Sequence, residues 1–314
     1  MKQLSVVICV YNEELNIRPL SEQIKAALQN FDYEAIFVDD GSTDRTREEV
    51  RAINDEHFLL LELKKNYGQS SALQAGIDAA TGEYVALLDG DLQNDPADIP
   101  MMVKMAKEGE WDMVAGVRAN RKDGAFLRKI PSKIANYLIR EATGIRMKDL
   151  GCTLKVFTHE AIKSIHIYGE LHRFIPALLA LEGSTLMTQV DVNHRAREFG
   201  KSKYNLSRTT RVFSDLLLMV FFKKYMQRPM HFFGGIGIVT LGIGFLINFY
   251  LLILKILGYD IWGKPILILG MLLVMGGIQF MTIGIMAEIL MRTYYEGQNK
   301  KPYRVRRITV TGQQ

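Results

Sequence analysis

Two long stretches without charged side chains restrict this 314-residue chain more than any other feature. Residues 231–254 and 265–287 contain no Asp, Glu, Lys or Arg. A helix needs about 20 apolar residues to cross a bilayer, and one Lys or Arg at its centre costs roughly 3 kcal/mol. The two stretches therefore predict two transmembrane helices, at about 231–254 and 265–288. Two buried core helices of a soluble protein are the alternative.

The short connection 255–264 makes the predicted spans a hairpin, so both chain ends lie on one side of the membrane. The residues that flank the hairpin are basic: Lys223, Lys224 and Arg228 before it, and Arg292, Lys300, Lys301, Arg304, Arg306 and Arg307 after it. Because cytoplasmic flanks carry the excess of Lys and Arg, we expect a multi-pass plasma (inner) membrane protein with cytoplasmic termini. These flanks also explain most of the net charge of +5, so nucleic-acid binding is not expected.

The first 115 or so residues alternate between short apolar runs and amphipathic segments. The apolar runs predict strands at 4–10, 33–38, 57–63, 84–88 and 112–116. Helix signals lie between them, with Asn16 as the expected cap of the first helix and Pro96 at the start of the fourth. Such alternation predicts an α/β fold, in which a mostly parallel sheet has helices on both faces.

Polar and acidic residues follow four of the predicted strands. They are Tyr11, Asn12 and Glu13, then Asp39 and Asp40, then Asn66, and finally Asp89 and Asp91. The carboxyl ends of parallel strands form one edge of the sheet, where open α/β folds bind nucleotides. Paired carboxylates there suit Mg²⁺ or Mn²⁺ holding a diphosphate, although a single acidic turn would look alike. The phosphate-loop and dinucleotide glycine fingerprints are absent from the sequence.

Four motifs follow one another along the chain: Val10-Tyr11-Asn12-Glu13-Glu14, residues 38–44, Asn66-Tyr67-Gly68 and Asp89-Gly90-Asp91-Leu92-Gln93. In this order they resemble the motifs of family 2 inverting glycosyltransferases of the GT-A fold, over roughly residues 1–205. The Asp-x-Asp-x-Gln pattern, the segment 195–204 and the C-terminal hairpin resemble the polyprenyl-phosphate subgroup. That subgroup includes bactoprenol glucosyltransferases and dolichol-phosphate mannose synthases, and the run 149–155 looks more like the bactoprenol branch.

The resemblance implies a role for each matching residue. Tyr11, Glu13 and Asp40 would hold the donor nucleotide; Asp89, Asp91 and Gln93 would bind the metal and the donor diphosphate; Arg118, Arg128 and Ser132 would face the acceptor phosphate; Arg197 and Lys203 would close over the diphosphate. The catalytic set implied in this way is Asp89, Asp91, Arg118, Arg197 and Lys203.

The expected acceptor, a lipid monophosphate, is itself a nucleophile. The phosphate has a second pKa of about 6 and is therefore largely dianionic at neutral pH, so a dedicated general base is less needed than for a sugar hydroxyl. Arginine forks can position it. Asp149 is either a base or a group that orients one of these arginines, and we favour orientation.

The domain organisation follows from these elements. We expect a cytoplasmic GT-A domain at 1–204, an interfacial amphipathic helix at 205–229, the hairpin at 230–290 and a basic cytoplasmic tail at 291–314. A core helix of the soluble domain is the alternative for 205–229. Gly235 and Gly242 are seven residues apart, as are Gly237 and Gly244, so a smooth helix face could support homo-oligomers.

The expected activity is metal-dependent, inverting transfer of a sugar from a nucleotide donor to polyprenyl (undecaprenyl) phosphate, which yields a lipid-linked sugar for the cell envelope. UDP-glucose is the first choice of donor. GDP-mannose, modified pentoses and a non-catalytic nucleotide-sugar-binding protein are alternatives. A processive polysaccharide synthase is disfavoured, because Trp111 and Trp262 lie in no Gln-x-x-Arg-Trp motif.

Overall fold

The computed structural model describes residues 2–118, 147–169, 171–183, 186–196, 221, 225 and 229–297. The chain divides into two compact units, Met1–Val220 and Phe221–Gln314. Predictions for Arg128, Ser132, Arg197 and Lys203 lie outside the described residues, as do those for most of the helix 205–229 and the tail beyond residue 297.

The first unit alternates strands and helices as the apolar pattern predicts. Its elements are β1 (Leu4–Val10), α1 (Glu14–Leu28), β2 (Tyr33–Asp39), α2 (Thr46–Arg51), β3 (Phe58–Glu62), α3 (Gln69–Ala79), β4 (Tyr84–Asp89), α4 (Ile99–Glu108), β5 (Met113–Arg118), β6 (Lys155–Thr158), α5 (His159–Lys163), α6 (Ile175–Leu181) and β7 (Met187–Val192). Short 3₁₀ turns occupy Pro96–Asp98 and Leu171–Phe174.

The strands form one seven-stranded sheet in the order β3-β2-β1-β4-β6-β5-β7. The first four strands are mutually parallel, whereas β6 runs antiparallel to both of its neighbours. The register pairs Val10 with Asp39 and Cys9 with Asp89. The carboxyl ends of β1, β2 and β4 therefore lie level at one edge, which confirms the mostly parallel sheet.

Helix α1 buries the face that its spacing predicts, because Ile17, Leu20, Ile24 and Leu28 are all fully buried. The predicted cap was wrong. The helix begins at Glu14, and Asn16 lies buried inside its first turn, where its amide donates to the Glu13 carboxylate. The Glu14 N–H donates instead to the Asp44 carboxylate in the loop after β2.

The second unit contains the two apolar helices, α7 (Pro229–Ile256) and α8 (Pro265–Gly297). Both are long and apolar enough to cross a membrane, since 18-residue windows within 229–256 and 265–291 have mean hydropathies of 2.3 and 2.2. Only 17% and 11% of these windows are buried within the protein, so most of their apolar surface faces outward. That exposure favours membrane helices over soluble core helices.

Glycines let α7 and α8 approach closely. A Cβ on Gly237 would lie 2.9 Å from the Gly277 carbonyl, and one on Gly244 would lie 2.9 Å from the Gly270 carbonyl. One of the two glycine pairs expected to meet a partner helix is therefore used inside the chain. The other pair, Gly235 and Gly242, has no such neighbour within 4 Å among the described residues.

Candidate functional site

The loop after β1 is joined to the loop after β2 by hydrogen bonds. The Asn12 amide N–H donates to Ser42 Oγ at 2.9 Å, and Asn12 Oδ1 accepts from the Thr43 N–H at 2.8 Å. The Glu13 N–H donates to Thr46 Oγ1 at 2.9 Å. Asn12 adopts a φ of +53°, a left-handed conformation that asparagine tolerates. These bonds fix the backbone that carries Tyr11 and Glu13, two residues that are expected to bind the donor nucleotide.

The adjacent acids Asp39 and Asp40 have different partners. Asp39 is fully buried, where it accepts from Arg47 Nε at 2.6 Å and from the Ser42 N–H at 3.1 Å. Asp40 accepts from the backbone N–H groups of Tyr67 and Gly68 at 2.7 and 2.9 Å. Burial raises the pKa of Asp40 even though these two bonds oppose the rise. Asp40 therefore anchors the loop after β3, and its expected contact with the nucleotide stays a prediction.

The carboxylate pair lies at the end of β4. Asp89 Oδ1 accepts from Gln69 Nε2 at 2.9 Å, and Asp89 Oδ2 accepts from Thr153 Oγ1 at 2.6 Å. Asp91 is 8% exposed, and its Oδ1 accepts from the Gln93 N–H at 3.2 Å. The pair thus occupies a polar turn that two other segments help to hold.

The donors at this turn suit a magnesium or manganese ion. Among the described residues, no group of three or more His, Cys, Asp and Glu side chains could form an all-protein metal site. Mg²⁺ normally takes one or two carboxylates, with substrate phosphates and water as its other ligands. Asp89 and Asp91 match that pattern, whereas a structural zinc site would need four N or S ligands.

The expected acceptor residue Arg118 ends β5 and binds Asp149 through two parallel bonds. Arg118 Nε lies 2.7 Å from Asp149 Oδ2, and Arg118 Nη2 lies 2.9 Å from Oδ1. The side chains are 16% and 18% exposed. Burial alone would raise the pKa of Asp149, but the bonds and charge of Arg118 outweigh it and the pKa is lowered. Asp149 is therefore an anion at neutral pH and poorly suited to act as a base.

The described residues just before Arg197 and Lys203 lie beside this edge of the sheet. The Arg195 N–H donates to the Gln93 carbonyl at 2.8 Å, and the Arg195 guanidinium pairs with Asp95. Asn94 and His194 form an isolated β-bridge. Residues 194 and 195 are therefore bonded next to the carboxylate turn.

Four residues at or beside this site were missed from the sequence. Gln69 and Thr153 contact Asp89, and Ser70 Oγ lies 2.8 Å from His172 Nδ1 in the neighbouring turn. Gln69 follows the Asn66-Tyr67-Gly68 motif, so its position offered a signal. Thr153 lies in the run 149–155, but the sequence carries no signal of its contact with Asp89, which is 64 residues away and is reached only through the order of the sheet.

A mostly parallel sheet with polar and acidic residues at the carboxyl ends of its strands is typical of nucleotide-binding α/β proteins. The sequence model described as glycosyl transferase family 2 matches residues 5–165, and the chain belongs to that family. It is a glycosyltransferase, as the motifs predict.

Two curated relatives match nearly the whole chain. Dodecaprenyl-phosphate galacturonate synthase of Rhizobium johnstonii is 47% identical, over 98% of this chain and 93% of the relative. Undecaprenyl-phosphate 4-deoxy-4-formamido-L-arabinose transferase of Photorhabdus laumondii is 34% identical, over 98% and 94%. The resemblance to polyprenyl-phosphate sugar transferases is confirmed. Neither name mentions glucose, so the first choice of donor gains no support.

Solved structures match most of the chain in fold. Glucosyl-3-phosphoglycerate synthase from Mycobacterium tuberculosis, in complex with uridine-diphosphate, superposes with a TM-score of 0.55 at 20% identity. The match covers 70% of this chain and 80% of the other. At this identity the comparison establishes the GT-A fold.

Proposed function

We propose that this protein transfers galacturonate from a nucleotide sugar to a polyprenyl phosphate. The observation that carries the proposal is the 47% identity to a dodecaprenyl-phosphate galacturonate synthase along 98% of the chain. Galacturonate therefore replaces glucose as the first candidate sugar, and UDP stays the first candidate nucleotide. The 34% identical relatives favour 4-deoxy-4-formamido-L-arabinose as the second candidate.

At the donor side, Asp89 and Asp91, with Gln93 beside them, would hold Mg²⁺ or Mn²⁺. The ion would neutralise charge that develops on the leaving diphosphate. Tyr11, Glu13 and Asp40 would bind the nucleotide along the same edge. We assign Arg197 and Lys203 to the same diphosphate, since they follow Arg195, whose N–H donates to the Gln93 carbonyl, and two cations there would add electrostatic stabilisation.

At the acceptor side, the phosphate dianion attacks the anomeric carbon from the face opposite the diphosphate, which inverts the configuration. No proton has to leave the attacking oxygen, so no base is required. Asp149 uses two of the five N–H donors of Arg118 and fixes the plane of its guanidinium. Arg118 is thereby oriented but largely neutralised, and we assign the greater share of phosphate binding to Arg128 and Ser132.

The lipid acceptor accounts for the second unit. Helices α7 and α8 would anchor the enzyme in the inner membrane, with the helix 205–229 along the interface and both termini in the cytoplasm. The catalytic edge would then meet a phosphate at the level of the lipid headgroups. The boundaries 1–204, 205–229, 230–290 and 291–314 remain our proposed division of the chain.

A donor comparison tests the proposal. Full-length protein in detergent, with Mn²⁺ and undecaprenyl phosphate, is offered UDP-galacturonate, UDP-glucose, UDP-linked 4-deoxy-4-formamido-L-arabinose or GDP-mannose, and nucleoside diphosphate release is measured. We expect kcat/KM to be at least about 10-fold higher with UDP-galacturonate than with UDP-glucose, which corresponds to roughly 1.4 kcal/mol. Faster turnover with UDP-glucose would refute the choice of sugar. No turnover with any donor would refute the proposed transfer.

A further inference from the structure

Asp89 is held on both of its carboxylate oxygens by side chains from distant parts of the chain. Gln69, the first residue of α3, donates to Oδ1 at 2.9 Å. Thr153, two residues before β6, donates to Oδ2 at 2.6 Å. One bond to each oxygen fixes the plane of the carboxylate.

The segment that carries Thr153 is itself anchored. Lys155, at the start of β6, is 3% exposed, and its ammonium donates to the Cys152 carbonyl. Burial lowers the pKa of this lysine. Four residues before Thr153, Asp149 binds Arg118 and also accepts from the Gly151 N–H at 3.0 Å. Thr153 is therefore presented from a rigid backbone, so its hydroxyl can set the direction of a neighbouring carboxylate.

We infer that Thr153, together with Gln69, is a positioning residue that orients Asp89 as a ligand for the divalent cation. The inference rests on the proposed metal-dependent transfer. Groups that hydrogen-bond to a metal ligand without touching the metal fix the orientation of that ligand. Their loss typically weakens metal binding about 10–100-fold. A threonine whose role is only to pack would have no such effect, since valine has nearly the same shape.

The test measures cation binding without turnover. Full-length variants in detergent are titrated with Mn²⁺ in the presence of UDP and without acceptor, and free Mn²⁺ is read by electron paramagnetic resonance. Thr153→Val should weaken Mn²⁺ binding about 10–100-fold, and Thr153→Ser should restore most of it. Thr158→Val is the matched control, because Thr158 is the last residue of β6, where it pairs with Tyr84 at the end of β4 far from Asp89, and its hydroxyl caps α5.

The outcomes separate this inference from the proposed function. Wild-type protein that binds no more Mn²⁺ than UDP alone would refute the metal-dependent transfer, and the inference with it. Wild-type binding with unchanged affinity in Thr153→Val would overturn the inference and leave the transfer standing. If Thr153→Val does not fold, Gln69→Met is titrated instead. Wild-type affinity in that variant overturns the inference, and a loss of about 10-fold or more supports it.

Discussion

The pairing of Arg118 with Asp149 yields the sharpest prediction, because both partners and their exposure are defined. We consider the single variants Arg118→Met and Asp149→Leu and their combination. Charge-assisted bonds contribute about 1.5–3 kcal/mol each, and removal of one partner from a buried pair costs about 3–5 kcal/mol. Because each side chain is about one-sixth exposed, we expect the lower end, about 3 kcal/mol for either single variant.

The combined variant should cost less than the sum of the two single variants. Once Arg118 is replaced, Asp149 is left as an unpaired and mostly buried acid, and replacement by leucine then removes that penalty. We expect an interaction free energy of about 2–3 kcal/mol from the cycle. It is obtained from urea unfolding of the full-length protein in detergent, and the exposed Lys104–Glu108 pair serves as control, with at most about 0.5 kcal/mol expected.

The same pair predicts a pH dependence. The pKa of Asp149 is lowered in the folded protein, so its contribution is complete above the unfolded value of about 3.9 and is lost as pH falls through the folded value. Acid unfolding should therefore begin at higher pH in Arg118→Met than in the wild type.

Additive effects of the two substitutions in the double-mutant cycle, with an interaction free energy below about 0.5 kcal/mol, would refute the argument that Arg118 and Asp149 stabilise the fold as a pair.

Three further predictions concern other parts of the molecule. Asp91→Ala should lower nucleoside diphosphate release at least about 100-fold with an unchanged urea midpoint; wild-type release would exclude the cation role. Gly41→Ala should destabilise by more than about 1–3 kcal/mol, because φ is +77° and a Cβ would lie 2.6 Å from backbone. Gly183 has a φ of +91° but no described atom near its added Cβ, so Gly183→Ala should lose only the energy of backbone strain. Equal urea midpoints for Gly41→Ala and Gly183→Ala would contradict this. Gly244→Leu should lower the thermal midpoint in detergent, whereas Gly242→Leu should not; equal shifts would exclude the glycine contact.

The sheet edge could be predicted from the sequence because its signals are local. An apolar run and the polar residues directly after it place a side chain at the end of a parallel strand, whichever strand lies beside it. Asp89 and Asp91 were found in this way. The same rule found Tyr11 and Glu13, whose backbone the structure holds against the next loop.

The contacts that hold the edge could not be predicted because they depend on strand order. The sequence contains no indication that β6 lies between β4 and β5, and this placement brings Thr153 to Asp89. The family resemblance assigned Arg118 to the acceptor, and Asp149 was expected to orient one of the arginines. Which arginine it binds depends on geometry across 31 residues. The glycine pattern of α7 indicated close packing, while the choice of Gly237 and Gly244 for α8 required the structure.

The position of β6 also has a consequence for how the chain folds during synthesis. Strands β4 and β5 are complete by residue 118, but they do not pair with each other in the sheet. The strand that lies between them, β6, begins only at Lys155. A nascent chain that ends before Lys155 therefore exposes one unpaired edge of β4, and such edges template aggregation. The ribosome must add about 40 residues before that edge is covered, which takes several seconds at about 5–20 residues per second. During that interval the open edge of β4 is the part of the sheet most exposed to pairing with another chain.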